Sequence, residues 1–541
     1  MKFPFAAVIA SFTTTVASSQ PTTNFKERCT TISSTLQLDY PFTVNIAEYL
    51  APNVTVDPVS EGLNSTCVEQ LAVFAPYPIP VGVCRLRLSV ETTSQSETYV
   101  EVWLPEKWEG RRVLTTGTGG FSGCIQYSTL SLAASYGIAS IGTDAGHNGT
   151  SAGAFYNQPE VFEDFSWRAV YASTVVGKAI TKQFYEQDLG KSYYIGCSMG
   201  GRQGLTAVQR NPELFDGAVV GAPAHYYAGI MALYGIAVRE LGFGSHAPLL
   251  GAEQWSWIQS EAIKQCDWID GAEDGIIEDP TACHFDWTPL SCAWNATSTT
   301  CLTHAQIEAV SKLFAPVVHN GTTLHPTGFR HGYETVIAAF MSAPILGDAI
   351  NEYYRYIIYS DISWNISTLT LDDALRAYTL DPANFSASNP DISAFRNRGG
   401  KIIHWHGAAD QTIPEGASDA YYEAVKTKLN ATVADLDGFY RYFKPGGVNH
   451  CVGGPGADLM GQAGGFVAAS GPGDSMLESI VEWVENGNAP DFVRGTKLNS
   501  NGEVVFRRKH CKFPLVNAYI GTAGNGADED GWRCVERKEQ V

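Results

Sequence analysis

KSYYIGCSMGGRQG, residues 191–204, reads as a strand that turns sharply into a helix. Residues 193–196 are a short apolar run that favours a strand, and Gly196-Cys197-Ser198-Met199-Gly200 satisfies G-x-S-x-G at its end. Such a turn lifts a serine hydroxyl above a sheet edge, and small neighbours are needed because backbone passes close by. Gly201 and Gly204 let the following helix pack tightly. The helix N-terminus and the Met199 N–H would then face negative charge developing on a carbonyl attacked by Ser198. In a chain with 53 glycines the pattern also arises by chance. An ordinary strand-to-helix turn is the plain alternative, so the partners decide.

Further strands are expected at 112–116, 138–142, 217–221 and 401–405. Between two of them, residues 164–185 place Phe165, Ala169, Ala172, Val176, Ala179 and Ile180 at helical spacing. Strands alternating with helices predict an α/β fold with a mostly parallel sheet. The alternation stops after Ala222 and Pro223 and resumes with KIIHWHG at residue 401. Residues 226–395 are therefore expected to be an inserted domain large enough for its own core, with 20–225 and 396–541 as the main domain.

An α/β-hydrolase fold requires the order serine, acid, histidine. The strand at 401–405 leads to Asp410, just past a strand's carboxyl end, where open α/β sheets build their sites. An aspartate there can orient an imidazole and stabilise its charged form; an exposed loop aspartate is the alternative. Two His-Cys pairs compete to supply the base. His450 lies in the glycine-flanked run KPGGVNHCVGGPG, ahead of an amphipathic helix expected at 475–486. His510 follows that helix among Arg507, Arg508 and Lys509 and reads as a tail tether, so His450 is selected.

Cys197 precedes the serine and Cys451 follows the histidine. A Ser198–His450 contact brings their sulfurs near, and a disulfide follows if the thiols point together. The rival reading, a Cys197 nucleophile, has little room in a chain with an even count of 12 cysteines. A second oxyanion donor is expected from an earlier loop. TGTGGF at 116–121 follows a strand, and Gly120 is chosen among its amides. No Lys-Ser/Thr follows it, so it is not a phosphate loop.

Apolar residues make up 44% of the chain and charged ones 17%, a globular composition. The net charge of −20 and the lack of any basic block exclude nucleic acid and anionic membranes as partners. MKFPFAAVIASFTTTVASSQ opens with one lysine, an apolar run and small residues, the pattern of a signal peptide expected to cover residues 1–19. Sequons at Asn53, Asn64, Asn148, Asn295, Asn320, Asn365, Asn384 and Asn430, with the cysteines, point to a glycosylated, extracellular protein. No later run reaches the ~18 apolar residues of a membrane span.

With these residues in place, the chain resembles the tannase and feruloyl esterase family of secreted fungal esterases. The resemblance rests on Cys197-Ser198, Asp410 and His450-Cys451, and on TGTGGFSGC, GTDAGHNG, GCSMGGRQG, CDWIDGAEDGIIEDP and VEWVENGNAPD. It is nearest to the B-type feruloyl esterase branch. It implies a lid inserted into an α/β-hydrolase fold and a structural calcium ion in that lid. The matching ligands are Asp267, Asp270 and Asp274 with the carbonyls of Ala272 and Ile276, a hard oxygen set. The spacing is not that of an EF-hand, and chemistry alone leaves a solvated acidic turn open. The resemblance also implies the pairs Cys29–Cys84, Cys67–Cys124, Cys197–Cys451, Cys266–Cys283, Cys292–Cys301 and Cys511–Cys534. The activity it implies is hydrolysis of hydroxycinnamate esters, such as feruloyl groups on xylan, through an acyl-enzyme on Ser198. The rivals are tannase action on galloyl esters and a dead hydrolase scaffold that binds carbohydrate. The complete triad in order argues against the last.

Overall fold

The structure, a computed structural model, describes residues 24–67, 79–243, 249–292, 301–462, 472–522 and 524–537. The expected leader and the sequon at Asn295 lie outside the described residues. Strands β1 (Phe42–Leu50), β2 (Val83–Thr93), β3 (Ser96–Pro105), β4 (Val113–Thr116), β5 (Ala139–Thr143), β6 (Ser192–Cys197) and β7 (Gly217–Gly221) come first in the chain. A small hairpin, β8 (Val317–His319) and β9 (Thr322–His325), precedes β10 (Lys401–Trp405) and β11 (Tyr440–Phe443). Nine of these make one sheet in the order β1-β2-β3-β5-β4-β6-β7-β10-β11. β1, β2, β3 and β5 pair antiparallel, and every pairing from β5 to β11 is parallel.

Alternate side chains of the parallel strands face opposite layers, as the period of two requires. Tyr193, Ile195, Val219, Ile403 and Trp405 pack under the helix Met476–Asn486 through Met476, Ile480 and Trp483. Tyr194, Ala218, Val220 and Ile402 pack on the other face with Leu205 and Val208 of the helix Met199–Arg210 and Tyr421 and Val425 of the helix Gly416–Lys428. With helices on both faces, the loops at the carboxyl ends of β4, β6, β10 and β11 meet at one edge of the sheet.

Three features depart from the sequence expectations. The antiparallel strands β1–β3 lack a clear strand signature in the sequence, and β2 carries Arg85 and Arg87 at alternate positions, both buried. Arg85 pairs with Glu48, Glu61 and Glu101, and a paired buried charge does not look apolar in a sequence. The helix expected from residue 164 opens with a π-helical turn, Asp164–Arg168, before regular helix over Ala169–Tyr185. Finally, His510 sits in a second hairpin, β12 (Phe492–Leu498) with β13 (Val504–Cys511), fully buried and donating from Nε2 to the Ala457 carbonyl.

Between β7 and β10 the chain builds helices, among them Tyr227–Leu241, Ala252–Cys266, Glu334–Ser342, Pro344–Glu352 and Leu371–Leu380. Ile230, Leu233, Trp255, Ile258, Ile337 and Tyr354 form an apolar cluster continuous with Phe121, Met199 and Ile413 of the sheet's loops. Arg330 reaches from this segment to Glu415 at 2.6 Å, and Lys444 approaches the same carboxylate from beyond β11. The last strands, β14 (Val516–Tyr519) and β15 (Trp532–Val535), pair with each other. Six disulfides are formed: Cys29–Cys84, Cys67–Cys124, Cys197–Cys451, Cys266–Cys283, Cys292–Cys301 and Cys511–Cys534.

Candidate active site

Ser198 follows β6 and caps the next helix at φ +63° and ψ −124°, a conformation that costs a non-glycine residue about 1–3 kcal/mol. The surroundings hold it there. Its N–H donates to the Gly221 carbonyl at 3.0 Å, and its own carbonyl accepts from Ala224 and Arg202. The motif glycines are steric requirements. A Cβ on Gly200 would stand 2.9 Å from the Thr118 carbonyl oxygen, and one on Gly201 would stand 2.2 Å from that of Gly221. The helix can therefore start this close to β7 only without side chains at those positions.

The structure brings Ser198, Asp410 and His450 together. His450 Nε2 lies 2.8 Å from Ser198 Oγ, and Nδ1 lies 2.7 Å from Asp410 Oδ2. A carboxylate only accepts, so Nδ1 carries the proton and Nε2 is free to take one from the serine. Asp410 is buried in the loop after β10, with Oδ1 accepting from the N–H groups of Thr412 and Ile413, each at 2.8 Å. Burial alone would raise its pKa. The charge of His450 and the hydrogen bonds from His406 and His450 outweigh that and hold the carboxyl well below the usual range. The base loop is anchored where the His450 N–H donates to Gln411 Oε1, and by the Cys197–Cys451 bond beside it.

Gly120 and Met199 both border the cavity above Ser198. Neither of their N–H groups donates a hydrogen bond among the described residues, which leaves both for an oxyanion. Two residues whose roles sequence reasoning missed hold the Gly120 loop. Gln203 accepts from Thr118 N–H at 3.0 Å and donates to Thr118 Oγ1 at 3.2 Å. His147 donates from Nε2 to the Phe121 carbonyl at 2.8 Å, and burial lowers its pKa to about 4, so the ring is neutral. Both lie inside quoted motifs, GCSMGGRQG and GTDAGHNG, but nothing local marks a side chain that reaches across to another loop.

The cavity measures about 520 Å³ and is mostly apolar. Phe121, Met199 and Ile413 come from the sheet's loops; Tyr227, Ile230, Met231, Tyr234, Phe340 and Leu346 come from the inserted helices. Its polar lining includes Thr66, Thr150, Ser151, Asp348 and Glu352. Several of these groups are already committed. Tyr234 donates its hydroxyl to the Thr412 carbonyl, and Glu352 accepts from Ser151 Oγ and Ala152 N–H.

The acidic loop of the insertion lies apart from this cavity. Gly275 N–H donates to Asp267, Ala272 and Glu278 N–H groups to Asp270, and Ile276 N–H to Asp274. Burial, followed by the charge of Glu278, pushes Asp270 up to about 8, and Asp267 and Asp274 are also raised, burial leading. Arg508 is the cation paired with Asp274 and Glu278. Among the described residues no three acidic, His or Cys side chains form a ready metal-ligand group. A hard cation would have to take a mixed set, in which the Ala272 and Ile276 carbonyls supplement the aspartates. Crowded, destabilised carboxylates fit that role. Asn53, Asn64, Asn148, Asn320, Asn365, Asn384 and Asn430 are all exposed.

A serine raised above the carboxyl edge of a parallel sheet, with an imidazole against its hydroxyl, defines an α/β-hydrolase. Residues 82–534 match the family model described as tannase and feruloyl esterase, and the chain belongs to that family of carboxylic ester hydrolases. It is 38% identical to feruloyl esterase B of Aspergillus niger over 89% of this chain and 93% of that one. Feruloyl esterase C of Talaromyces stipitatus is also 38% identical, over 95% of each chain. The crystal structure of feruloyl esterase B from Aspergillus oryzae superposes with a TM-score of 0.87 at 38% identity, covering 95% of this chain and 100% of that one. The tannin acyl hydrolase of A. niger, 23% identical, shares the fold with a TM-score of 0.69 over 92% of this chain and 90% of that one. The family and fold read from the motifs are thereby borne out. Among the described residues no helix is long and apolar enough to cross a membrane.

Proposed function

We propose that this chain is a secreted serine esterase that releases hydroxycinnamates, feruloyl groups above all, from plant cell-wall polysaccharide. The observation that carries the reading is the Ser198–His450–Asp410 alignment opening into an apolar cavity of aromatic size. Ser198 Oγ attacks the ester carbonyl as His450 Nε2 takes its proton. The N–H groups of Met199 and Gly120 receive the oxyanion, and Asp410 stabilises the imidazolium. His450 then returns the proton to the leaving sugar oxygen, which leaves an acyl-enzyme. A water deprotonated by the same nitrogen attacks that ester, and Ser198 regains its proton as the hydroxycinnamic acid departs.

The lining favours a methoxylated phenylpropenoyl group over a galloyl group. The wall is mostly apolar, and a methoxylated ring asks for fewer hydrogen-bond partners there than the three ring hydroxyls of a galloyl group. Ser198→Ala should abolish hydrolysis, and methyl ferulate should outpace methyl gallate in parallel assays with the intact protein. Retained esterase activity in the variant would refute the mechanism, and a preference for gallate would refute the substrate reading.

The same proposal places the protein outside the cell, supported by its N-terminal apolar run, six disulfides and exposed sequons. It also assigns a calcium ion to Asp267, Asp270 and Asp274 with the carbonyls of Ala272 and Ile276. The ion would supply positive charge that stiffens the insertion, and no step of the reaction uses it.

A further inference from the structure

Asp410 Oδ2 serves two histidines. Besides His450, it lies 3.1 Å from Nε2 of His406, a fully buried side chain just past the end of β10. Nε2 also faces the Ile413 carbonyl at 3.0 Å. Both neighbours only accept, so this nitrogen carries a proton. In an uncharged ring Nδ1 is then an acceptor, and it lies 2.7 Å from Ser418 Oγ, which must donate to it. Having spent its proton, Ser418 accepts from His404 Nε2 at 3.0 Å. That leaves His404 Nδ1 to accept from the Tyr440 hydroxyl at 2.6 Å. His404, Ser418 and Tyr440 are each 0% exposed.

Every proton in the series is thus assigned by its neighbours, and all of them point toward the catalytic carboxylate. Chains of this kind strengthen each bond along their length in a low-dielectric interior. We propose that Tyr440, His404, Ser418 and His406 are positioning residues whose one-directional hydrogen-bond chain orients Asp410 and shares the charge on the oxygen that His450 uses. The proposal rests on the triad reading above.

Titratable groups pack around both ends of the chain: Tyr440 is faced by Tyr226, Tyr421, Tyr422 and Asp419, and Asp419 is neutralised by ion pairs with Lys444 and Arg330. His406 is faced by His404 two residues before it, by His225 from the loop after β7 and by His325 of β9. Burial lowers His225 and His325 to about 4 and His404 well below its ordinary value, so these rings are uncharged at neutral pH. Tyr234 approaches Asp410 from the insertion and stays protonated because burial raises its pKa. At the triad end, Asp410 is the carboxylate that His450 and His406 share.

The test is kcat/KM for p-nitrophenyl acetate against pH, with melting curves, in His406→Leu, His406→Gln and Ser418→Ala. Without the His406 N–H, the full charge of Oδ2 acts on His450 and favours its protonated form. The acid limb of His406→Leu should move up by about 0.5–1 pH unit, with kcat falling roughly tenfold. Ser418→Ala should move the limb the same way by less. His406→Gln keeps an amide N–H for Asp410 and should hold the limb near that of the parent protein. An unmoved limb in both His406→Leu and Ser418→Ala would reduce the chain to core packing. A shift in His406→Leu alone would confine the role to one residue and overturn the chain. If His406→Leu does not fold, Ser418→Ala decides. Ser198→Ala assayed alongside reports separately on the triad, since activity surviving there would fail that reading and not the chain.

Discussion

Replacing both Cys197 and Cys451 by alanine separates two effects of one bond. The bond closes a loop of 254 residues, and chain entropy assigns such a closure about 5 kcal/mol at 25 °C. Divided by an unfolding entropy of about 2 cal/mol/K per residue over a chain this long, that loss lowers the melting temperature by about 5 °C. The second effect is positional. Ser198 keeps its backbone bonds to Gly221 and Ala224 without the disulfide, so the nucleophile stays in place. The His450 loop keeps its hydrogen bonds, among them Gln411 to the His450 N–H, Asp410 to its ring, Ala409 N–H to the Val448 carbonyl and Gln462 to the Cys451 carbonyl, but it loses its covalent tie to the residue before Ser198. A drift of about 1 Å in the imidazole is enough to lower turnover by up to ~100-fold. The variant should therefore lose kcat at 25 °C, far below its melting point, and react more slowly with a serine-directed phosphonate. Calorimetry and steady-state kinetics on one preparation check both numbers. If the melting temperature falls as expected while kcat stays intact, the bond only staples the fold and the positional argument is wrong.

Gly201→Ala places a Cβ 2.2 Å from the Gly221 carbonyl oxygen and should cut kcat by about 100-fold in a protein that keeps its circular dichroism. Normal turnover would mean that the elbow tolerates a helix shift. Burial lifts Asp144 to about 7, so its favourable contribution is complete below pH ~4 and lost as pH rises toward 7. Asp144→Asn keeps the Oδ1 acceptor for Thr98, Tyr99 and Gly146, and its stability relative to the parent should climb from pH 5 to 8, by at most about 2.7 kcal/mol. A difference that does not vary with pH would contradict this. A calcium chelator should lower the melting temperature, with added calcium restoring it and the ferulate-to-gallate rate ratio unchanged; an indifferent melting curve would remove the calcium assignment.

The three residues of the candidate triad were legible in the sequence because each lies in a short local pattern at a strand's carboxyl end, in the order the fold demands. Ser198 announces its turn through flanking glycines, and the glycine-flanked loop ahead of an amphipathic helix singles out His450 over His510, which also has a cysteine after it. What was illegible depends on contacts between distant loops. Gln203 looks like one more polar helix residue until Thr118 is seen against it, and His406 reads as part of a strand's end until Asp410 turns back toward it. Tyr227, Ile230 and Tyr234 line the cavity, yet in sequence they resemble any buried helix face. The antiparallel edge was hidden by arginines whose carboxylate partners lie on other segments.

Gly221 and Trp405 sit opposite each other in paired strands although the whole insertion separates them in the chain. A segment that leaves and rejoins a sheet at neighbouring points can change length cheaply, since doubling such an excursion costs only about 0.6 kcal/mol of closure entropy. The helices it carries form much of the wall of the cavity above Ser198, while Ser198, Asp410 and His450 all belong to the chain on either side. Divergence in which ester is accepted can thus accumulate, or be grafted wholesale, in a part of the gene that leaves the reaction itself alone.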